Sequence, residues 1–397
     1  MMDAPLRVLH VVPSLDETYG GPATAVPCLA TALEVLNCAS FFFSVAPLGR
    51  DGVNPLMASH ADRWVEARPV PVLTVGRPAR RAVSTMEGLI SAERIDLIHL
   101  HGLWSHLAWA MRIILRRRRL PLLLSPRSDL MAQGRGRSPT LKALAARLYA
   151  DDLLARCDGF HATDPVEAEA IAAIAPRKPR LLAPNGIVPG LGDDLPEPDA
   201  ARRALGLPIG RPVLLFLSRL DPRKNPDLLL EAAISAGLFR LGWVLVFAGA
   251  AEDPRLARRI LTRAASEGVG ASVFLLGHVG WPRNRLCFAA ATFFALPTYF
   301  ENFGNSIDEA LACGVPVVTT PETPWRLLPA LGAGFVGPPT LAVWTRLLQE
   351  ATTTSPDRLA AMGAAGRDLV RRFDWRETAR LTAAFYRDLA RSAPSRP

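Results

Sequence analysis

The sequence predicts an α/β fold of two doubly wound domains, and three observations carry that expectation. Short continuous apolar runs alternate with longer amphipathic stretches over nearly the whole length, the pattern of parallel strands covered by helices on both faces. The chain has 397 residues, too many for one hydrophobic core, since single cores stop growing beyond about 250–300 residues. The alternation lapses once, at 184–208, where Pro184, Pro189, Pro196, Pro198 and Pro208 fall among Gly and Asp. That composition marks an interdomain linker.

Taken in order, the first half is expected to form strands at 6–12, 41–46, 70–75, 95–100, 122–125, 159–162 and 180–183. The second half offers strands at 213–217, 243–248, 272–276, 293–296 and 315–319. Helix-period stretches lie between them, among them 23–36, 103–118, 228–236 and 305–313. Two such domains bind ligand at the carboxyl ends of their strands.

Composition narrows the class. With 49% hydrophobic and 21% charged residues, the chain is globular rather than disordered. A net charge of +9 favours anionic surroundings: nucleic acid, anionic lipid or phosphorylated ligands. The five cysteines are scattered, with no C-x-x-C pair, which argues against a zinc site or a disulfide framework and for a reducing compartment. The N-terminus runs straight into a strand pattern without a leader. No apolar run reaches the ~18 residues of a membrane span. The expectation is a cytoplasmic protein with at most peripheral membrane contact.

The chemistry concentrates in 297–314, Pro-Thr-Tyr-Phe-Glu-Asn-Phe-Gly-Asn-Ser-Ile-Asp-Glu-Ala-Leu-Ala-Cys-Gly. A strand should end near Pro297 and a helix begin around 302–305, closing at Gly314, a typical residue just past a helix end. Phe303, Gly304 and Asn305 would then present backbone N–H groups backed by the helix dipole, a setting suited to a diphosphate. Glu301 precedes the helix, and Glu309 lies one turn inside it, stacked on Asn305 at i, i+4. Carboxylates beside a phosphate site are poor phosphate ligands and good acceptors for sugar and ribose hydroxyls. Standing alone, the same pair also reads as a helix-start acid and a solvated helix residue.

Glu301 and Glu309, with seven residues between them and an Asn-Phe-Gly start, resemble the paired-glutamate motif of retaining GT-B glycosyltransferases of family 4, the glycosyl transferases group 1. The run from 309 to 318, Glu-Ala-Leu-Ala-Cys-Gly-Val-Pro-Val-Val, is similar to that family's sequence. The resemblance implies two Rossmann-like domains facing across a cleft, with a C-terminal helix that crosses back to the first domain. On that division 1–186 is the acceptor domain, 187–372 the donor domain, and 373–397 the returning helix. Phe-Leu-Ser-Arg-Leu-Asp-Pro-Arg-Lys-Asn at 216–225 resembles the segment whose arginine and lysine clamp the donor diphosphate, here Arg219 and Lys224. Two cations there would neutralise charge on a leaving nucleoside diphosphate, although a basic surface turn reads the same locally.

The resemblance extends over almost the whole chain. Pro184-Asn185-Gly186 is similar to the family's hinge, and Gly277-His278-Val279 to a loop contacting the base through its backbone, which makes Val279 a donor-binding residue. Asn302 joins the donor-binding set with 303–305. Gly20-Gly21-Pro22 looks like the glycine-rich loop near the donor phosphates, where the backbone can approach closely; it is also an ordinary turn. The strand ending His99-Leu-His101-Gly102 points His101 at the cleft by this likeness, while a histidine at a strand end is as often structural. Arg127, in Ser125-Pro-Arg-Ser-Asp129, stands where many relatives carry histidine, a departure that argues against copying a catalytic histidine onto it. The loop 321–325 and the tail from Phe373 also resemble family segments.

The implied reaction moves a hexose from a UDP- or GDP-sugar, held mainly by the second domain, to a saccharide or polyprenyl-linked saccharide acceptor. It implies retention of configuration, no cofactor and no metal. The candidate catalytic set is Arg219, Lys224, Glu301, Arg127 and His101. A same-face mechanism fits, in which the leaving phosphate oxygen takes the acceptor proton. Two other classes were weighed. A nucleotide-dependent oxidoreductase would need G-x-G-x-x-G after a first strand, and the sequence has none there. A non-catalytic nucleotide-sugar binder would not need the full Arg, Lys and double-Glu set. Nucleic acid is not an expected partner, because no aromatic residues interleave with the basic ones. The run Arg116, Arg117, Arg118 and Arg119 at a helix end allows either contact with anionic headgroups or ordinary solvation.

Overall fold

The computed structural model describes residues 4–45, 54–67, 77–131, 145–251 and 253–392. The expected strand at 70–75 lies outside them. The chain divides into two units, 1–186 with 374–397, and 187–373.

The first unit contains β1 (Leu6–Val11), α1 (Gly21–Glu34), β2 (Cys38–Val45), β3 (Trp64–Ala67), α2 (Arg77–Ala92), β4 (Leu97–His101), α3 (His106–Arg117), β5 (Leu122–Ser125), α4 (Asp151–Arg156), β6 (Gly159–Ala162), α5 (Pro165–Ile174) and β7 (Arg180–Leu182). Its seven-stranded sheet runs β3-β2-β1-β4-β5-β6-β7, all parallel. Because side chains alternate across a strand, the two faces differ in kind. Leu9, Val11, Phe41, Phe43, Ile98, Leu100, Leu122 and Leu124 enter an apolar core with Met86, Leu107 and Met111. The opposite face carries His10, His99, His101, Ser125 and His161, all buried.

The second unit contains α6 (Pro198–Ala204), β8 (Val213–Leu217), α7 (Pro226–Ser235), β9 (Val244–Ala248), α8 (Pro254–Ser266), β10 (Val273–Gly277), α9 (Asn284–Ala290), β11 (Phe293–Leu296), α10 (Asn305–Ala312), β12 (Val317–Thr319), β13 (Gly334–Val336), α11 (Leu341–Thr352) and α12 (Pro356–Val370). Its six strands run β10-β9-β8-β11-β12-β13, again all parallel. The strands are apolar along their length, as in β9, Val-Leu-Val-Phe-Ala, because helices cover both faces.

In each sheet the strand order reverses once, between β1 and β4 and between β8 and β11. The loops after these strands sit at the topological switch points, where doubly wound sheets bind ligands. The last helix, α13 (Trp375–Ser392), belongs to the first unit and packs on α1 and β7. Two expectations need correcting. The proline-rich stretch is not irregular throughout, since Pro198 opens α6 at its first position, where a missing N–H costs nothing. The short strands β3 and β13 were not anticipated.

Candidate functional site

In the second unit the site is assembled by two loops. After β8, the Asp221 carboxylate accepts the Arg223 amide at 2.8 Å and caps the one-turn helix Pro222–Lys224. Burial pushes the Asp221 carboxyl up, but hydrogen bonds from the Arg223 side chain and amide outweigh it and hold the group at about 2. Asn225 takes a left-handed φ of 57°, and Pro226 starts α7. This turn is pinned to the loop after β11: the Tyr299 amide donates to the Arg223 carbonyl at 2.8 Å, and the Thr298 hydroxyl to the same carbonyl at 3.2 Å. The result places the Lys224 ammonium in an ion pair with the Glu301 carboxylate, both largely buried. Arg219 belongs to the same loop, close enough to act on Asp221.

Beyond Glu301 the backbone turns into α10. Gly304 takes φ 79° and ψ 57° at the N-cap, and no side chain caps the helix. A Cβ there would lie 3.2 Å from Ile307 Cδ1 and 3.3 Å from Trp325 Nε1, so the left-handed turn and the tight surroundings both require glycine. The loop 321–325, whose role the sequence left open, is a buttress for this turn. The Glu301 amide donates to the Glu322 carbonyl at 3.0 Å. The Trp325 indole N–H donates to the Phe303 carbonyl at 2.7 Å, and the buried Phe303 ring packs edge-on against Trp325 and Phe373. Glu309, one turn into α10, is 8% exposed, and burial raises its carboxyl to about 8. Its neighbour Asp308 is also buried and raised well above the ordinary range, by burial first and by Glu309 second. Asn302 and Asn305 flank the turn, and Val279 is buried after β10.

The first unit holds the remaining candidates. Gly20 takes φ 101° and Gly21 opens the 14-residue helix α1 at the carboxyl end of β1. Arg127 follows β5. Its Nη1 donates to Asn185 Oδ1 at 3.2 Å and its Nη2 to His101 Nδ1 at 3.4 Å, while burial lowers its pKa to about 10. His101, the other candidate of this unit, ends β4. It is 1% exposed, because α1 and α13 cover its face of the sheet and its two nitrogens face Arg127 and His10.

That polar face is wired in one direction. The Ala183 carbonyl can only accept, so His161 carries its proton on Nε2 and donates at 2.8 Å. His161 Nδ1 then accepts the Ser125 hydroxyl at 2.9 Å, Ser125 Oγ accepts His99 Nε2–H at 2.7 Å, and His99 Nδ1 accepts the Tyr386 hydroxyl at 2.6 Å. In a second chain Arg127 donates to His101 Nδ1, and His101 Nε2–H donates to His10 Nδ1 at 3.2 Å. All four histidines are neutral in this arrangement, in keeping with burial, which lowers His10 to about 3, His161 to about 4, and His99 and His101 well below the ordinary value. The nitrogens of His10, His99 and His101 lie within 4.8 Å of one another, close enough for a metal ion. Five of the six nitrogens already have protein partners, His10 Nε2 being the exception. Hydrogen bonding within the protein accounts for the cluster.

The predicted residues thus fall into two groups. Arg219, Lys224, Val279, Glu301, Asn302, Phe303, Gly304, Asn305 and Glu309 belong to the second unit, and Gly20, Gly21, His101 and Arg127 to the first. The sequence assigned no role to Asp221, Thr298, Glu167 or Tyr386, and Asn185 entered only as part of the Pro-Asn-Gly hinge. Asp221-Pro222 and Asp164-Pro165 did carry a readable signal, an Asx residue before a proline that opens a helix; the others are recognised only by what they touch.

Comparison with known proteins identifies the family and the fold. Residues 198–341 match the family model described as glycosyl transferases group 1, and residues 20–186 match the glycosyl transferase 4-like domain. The D-inositol 3-phosphate glycosyltransferase of Mycolicibacterium paratuberculosis is 28% identical over 306 residues, 74% of this chain and 66% of that protein. The enzyme of the same description from Mycobacterium tuberculosis (strain H37Ra) is 29% identical over 248 residues, 58% of this chain and 49% of that protein. The matched stretches therefore span about two thirds of the first relative's length and about half of the second's. Sucrose-phosphate synthase from Thermosynechococcus elongatus superposes with a TM-score of 0.79 at 20% identity, covering 98% of this chain and 100% of the other. Anabaena Alr3699/HepE in complex with UDP-glucose gives 0.76 at 18% identity, covering 96% and 99%. These likenesses establish the fold as GT-B.

Proposed function

The chain belongs to the glycosyl transferases group 1 family, and from that premise we propose that it transfers a hexose from a nucleoside diphosphate sugar to a saccharide acceptor with retention of configuration. The observation that carries this reading is the Lys224–Glu301 ion pair at the entrance to α10, with Glu309 one turn further in. A lysine, a helix N-terminus and two carboxylates in one place supply what a sugar diphosphate needs: cationic and dipolar partners for phosphate, and acceptors for hydroxyls. On binding, Lys224 would exchange Glu301 for the diphosphate, freeing Glu301 to accept sugar hydroxyls. Arg219, Lys224 and the helix amides would stabilise charge on the departing phosphate, whose oxygen takes the acceptor proton on the same face. Arg127 and His101 are assigned to the reacting centre, and Gly20 and Gly21 to backbone contact with the donor.

Because side-chain cations serve the phosphates in this scheme, turnover should proceed in EDTA, and a strict need for added magnesium or manganese would contradict it. The complex of the Anabaena neighbour with UDP-glucose makes UDP-hexoses the first donors to try, with GDP-hexoses beside them. The acceptor we propose is a saccharide or a polyprenyl-linked saccharide, met at an anionic membrane surface. A thermal-shift screen of UDP-, GDP- and ADP-sugars tests donor class, since a ligand that binds the native state raises the melting point. Proton NMR of the product then reads the anomer. A donor that binds without ever being hydrolysed or transferred would turn the reading into that of a binding protein, and an inverted product would remove the same-face mechanism.

A further inference from the structure

Arg127 sits in a turn that its own residues do not favour. Pro126, Arg127, Ser128 and Asp129 close a tight turn through the Asp129 amide and the Pro126 carbonyl, 3.1 Å apart. The two central residues have φ values of 54° and 73°. Two successive positive φ angles are the mark of a type I′ turn, which normally demands Asn-Gly or Gly-Gly. Arginine and serine both carry a Cβ that crowds the following carbonyl in this region. Such a conformation persists only where the surroundings impose it, and strained residues of this kind gather at functional sites.

A buried carboxylate imposes it here. Glu167, on α5, is 0% exposed. Its Oε1 accepts the Ser128 amide at 2.7 Å, and its Oε2 accepts the Thr163 amide at 3.0 Å and the Thr163 hydroxyl at 3.3 Å. The carboxylate ties the strained turn after β5 to the segment after β6. It also lies close enough to act on the Arg127 charge. Asp129 does the same on the other side, taking the Leu103 amide at 2.6 Å after β4.

We propose that Glu167 is a positioning residue for the transfer reaction, holding Ser128 in its left-handed conformation so that Arg127 is presented in a fixed geometry. The proposal rests on the transferase reading given above for its chemical consequence, and on the turn alone for its structural one. Glutamine has the shape of glutamate but one acceptor oxygen, so in Glu167→Gln an NH₂ group must face either the Ser128 or the Thr163 amide. Glycine at 128 occupies positive φ without a Cβ clash, so Ser128→Gly should let the turn hold itself.

Two readouts test this. Hydrogen exchange of the peptides spanning 126–131 and 160–166, taken together, should accelerate in Glu167→Gln, because either the Ser128 or the Thr163 amide loses its acceptor; unchanged exchange in both would overturn the anchor. Turnover per folded molecule, measured well below both melting points, should fall about 10- to 100-fold in kcat, with KM for the donor within about threefold because most donor-binding residues are assigned to the other unit. The double variant Glu167→Gln/Ser128→Gly should recover most of the lost kcat. A merely structural role would lower the melting point and leave kcat per folded molecule unmoved, and that result would overturn the proposal, as would failure of glycine to rescue. A wild-type chain inert toward every nucleotide sugar would instead remove the transferase reading, while the exchange experiment still decides whether Glu167 holds the turn.

Discussion

Glu309 shows at the scale of one residue how burial sets a charge. An unfolded glutamate titrates at 4.5, and the buried one at about 8. Between those values the folded chain keeps a proton that the unfolded chain has released. The stabilising contribution is therefore complete below pH 4.5 and is lost as pH rises toward 8, with a slope of up to about 1.4 kcal/mol per pH unit. Asp308, also raised, adds a slope of the same sign. Urea denaturation from pH 5 to 8 should show stability falling with pH, and Glu309→Gln should reduce that slope without abolishing it; an identical slope in the variant would refute the assignment. If Glu309 accepts ribose hydroxyls, Glu309→Ala should weaken nucleoside diphosphate binding by roughly 2–4 kcal/mol, read by calorimetry. The pair of glutamates was legible in the sequence because their spacing survives folding. Their protonation was not, because it depends on neighbours from distant segments.

At the scale of elements, α13 is the part whose place the sequence pattern indicated and whose attachment it could not. The tail from Phe373 resembled a returning helix, yet nothing in it announced that Tyr386 would reach His99 across 287 residues. The Tyr386 hydroxyl starts the one-way chain that ends at the Ala183 carbonyl. Tyr386→Phe leaves His99 Nδ1 buried without a donor, and should cost about 1–3 kcal/mol of stability, measured by chemical denaturation. A loss below about 0.5 kcal/mol would mean that the ring, not the hydroxyl, anchors the helix. The hinge shows the same dependence on contact. A Cβ on Gly186 would lie 2.5 Å from the Trp375 backbone nitrogen, so the glycine of Pro-Asn-Gly is there to let α13 start against it. Short edge strands such as β13 went unread because three residues are too few to show a period.

At the scale of the molecule, a charge of +9 invites an anionic partner, and α3 shows how much of that charge is already spent. Its apolar side chains, including Leu107, Met111 and Ile114, enter the core. Of its basic ones, Arg112 and Arg116 converge on Asp152 together with Arg156 of α4, Arg117 pairs with Glu87, and Arg118, just past the helix, donates to Ser91. No described helix is long and apolar enough to cross a membrane. The peripheral contact we propose is electrostatic and weak, at about 1 kcal/mol per basic residue near an anionic surface. Wild type should sediment with anionic liposomes at low salt and release at physiological salt, and a variant with glutamine at 116, 117, 118 and 119 should bind less at low salt. Its melting point should be recorded beside it, since the same substitutions break ion pairs. Equal, negligible sedimentation of both proteins would remove the membrane proposal and leave the rest standing.

The sequence by itself determined the two parallel α/β units, the positions of most long strands, and the loop-and-helix segment that carries Lys224, Glu301 and Glu309. These follow from hydrophobic period, proline and glycine punctuation and motif spacing, all of which act over a few residues. Only the tertiary structure decided that His101 is buried between His10 and Arg127, that the loop 321–325 braces the Gly304 turn, and that Glu167 holds Arg127 in a conformation its own residues resist. Each of those outcomes is a contact between segments far apart in the chain. A side chain's solvent exposure, charge and backbone strain are set by the neighbours that packing brings to it, and a linear string does not contain those neighbours.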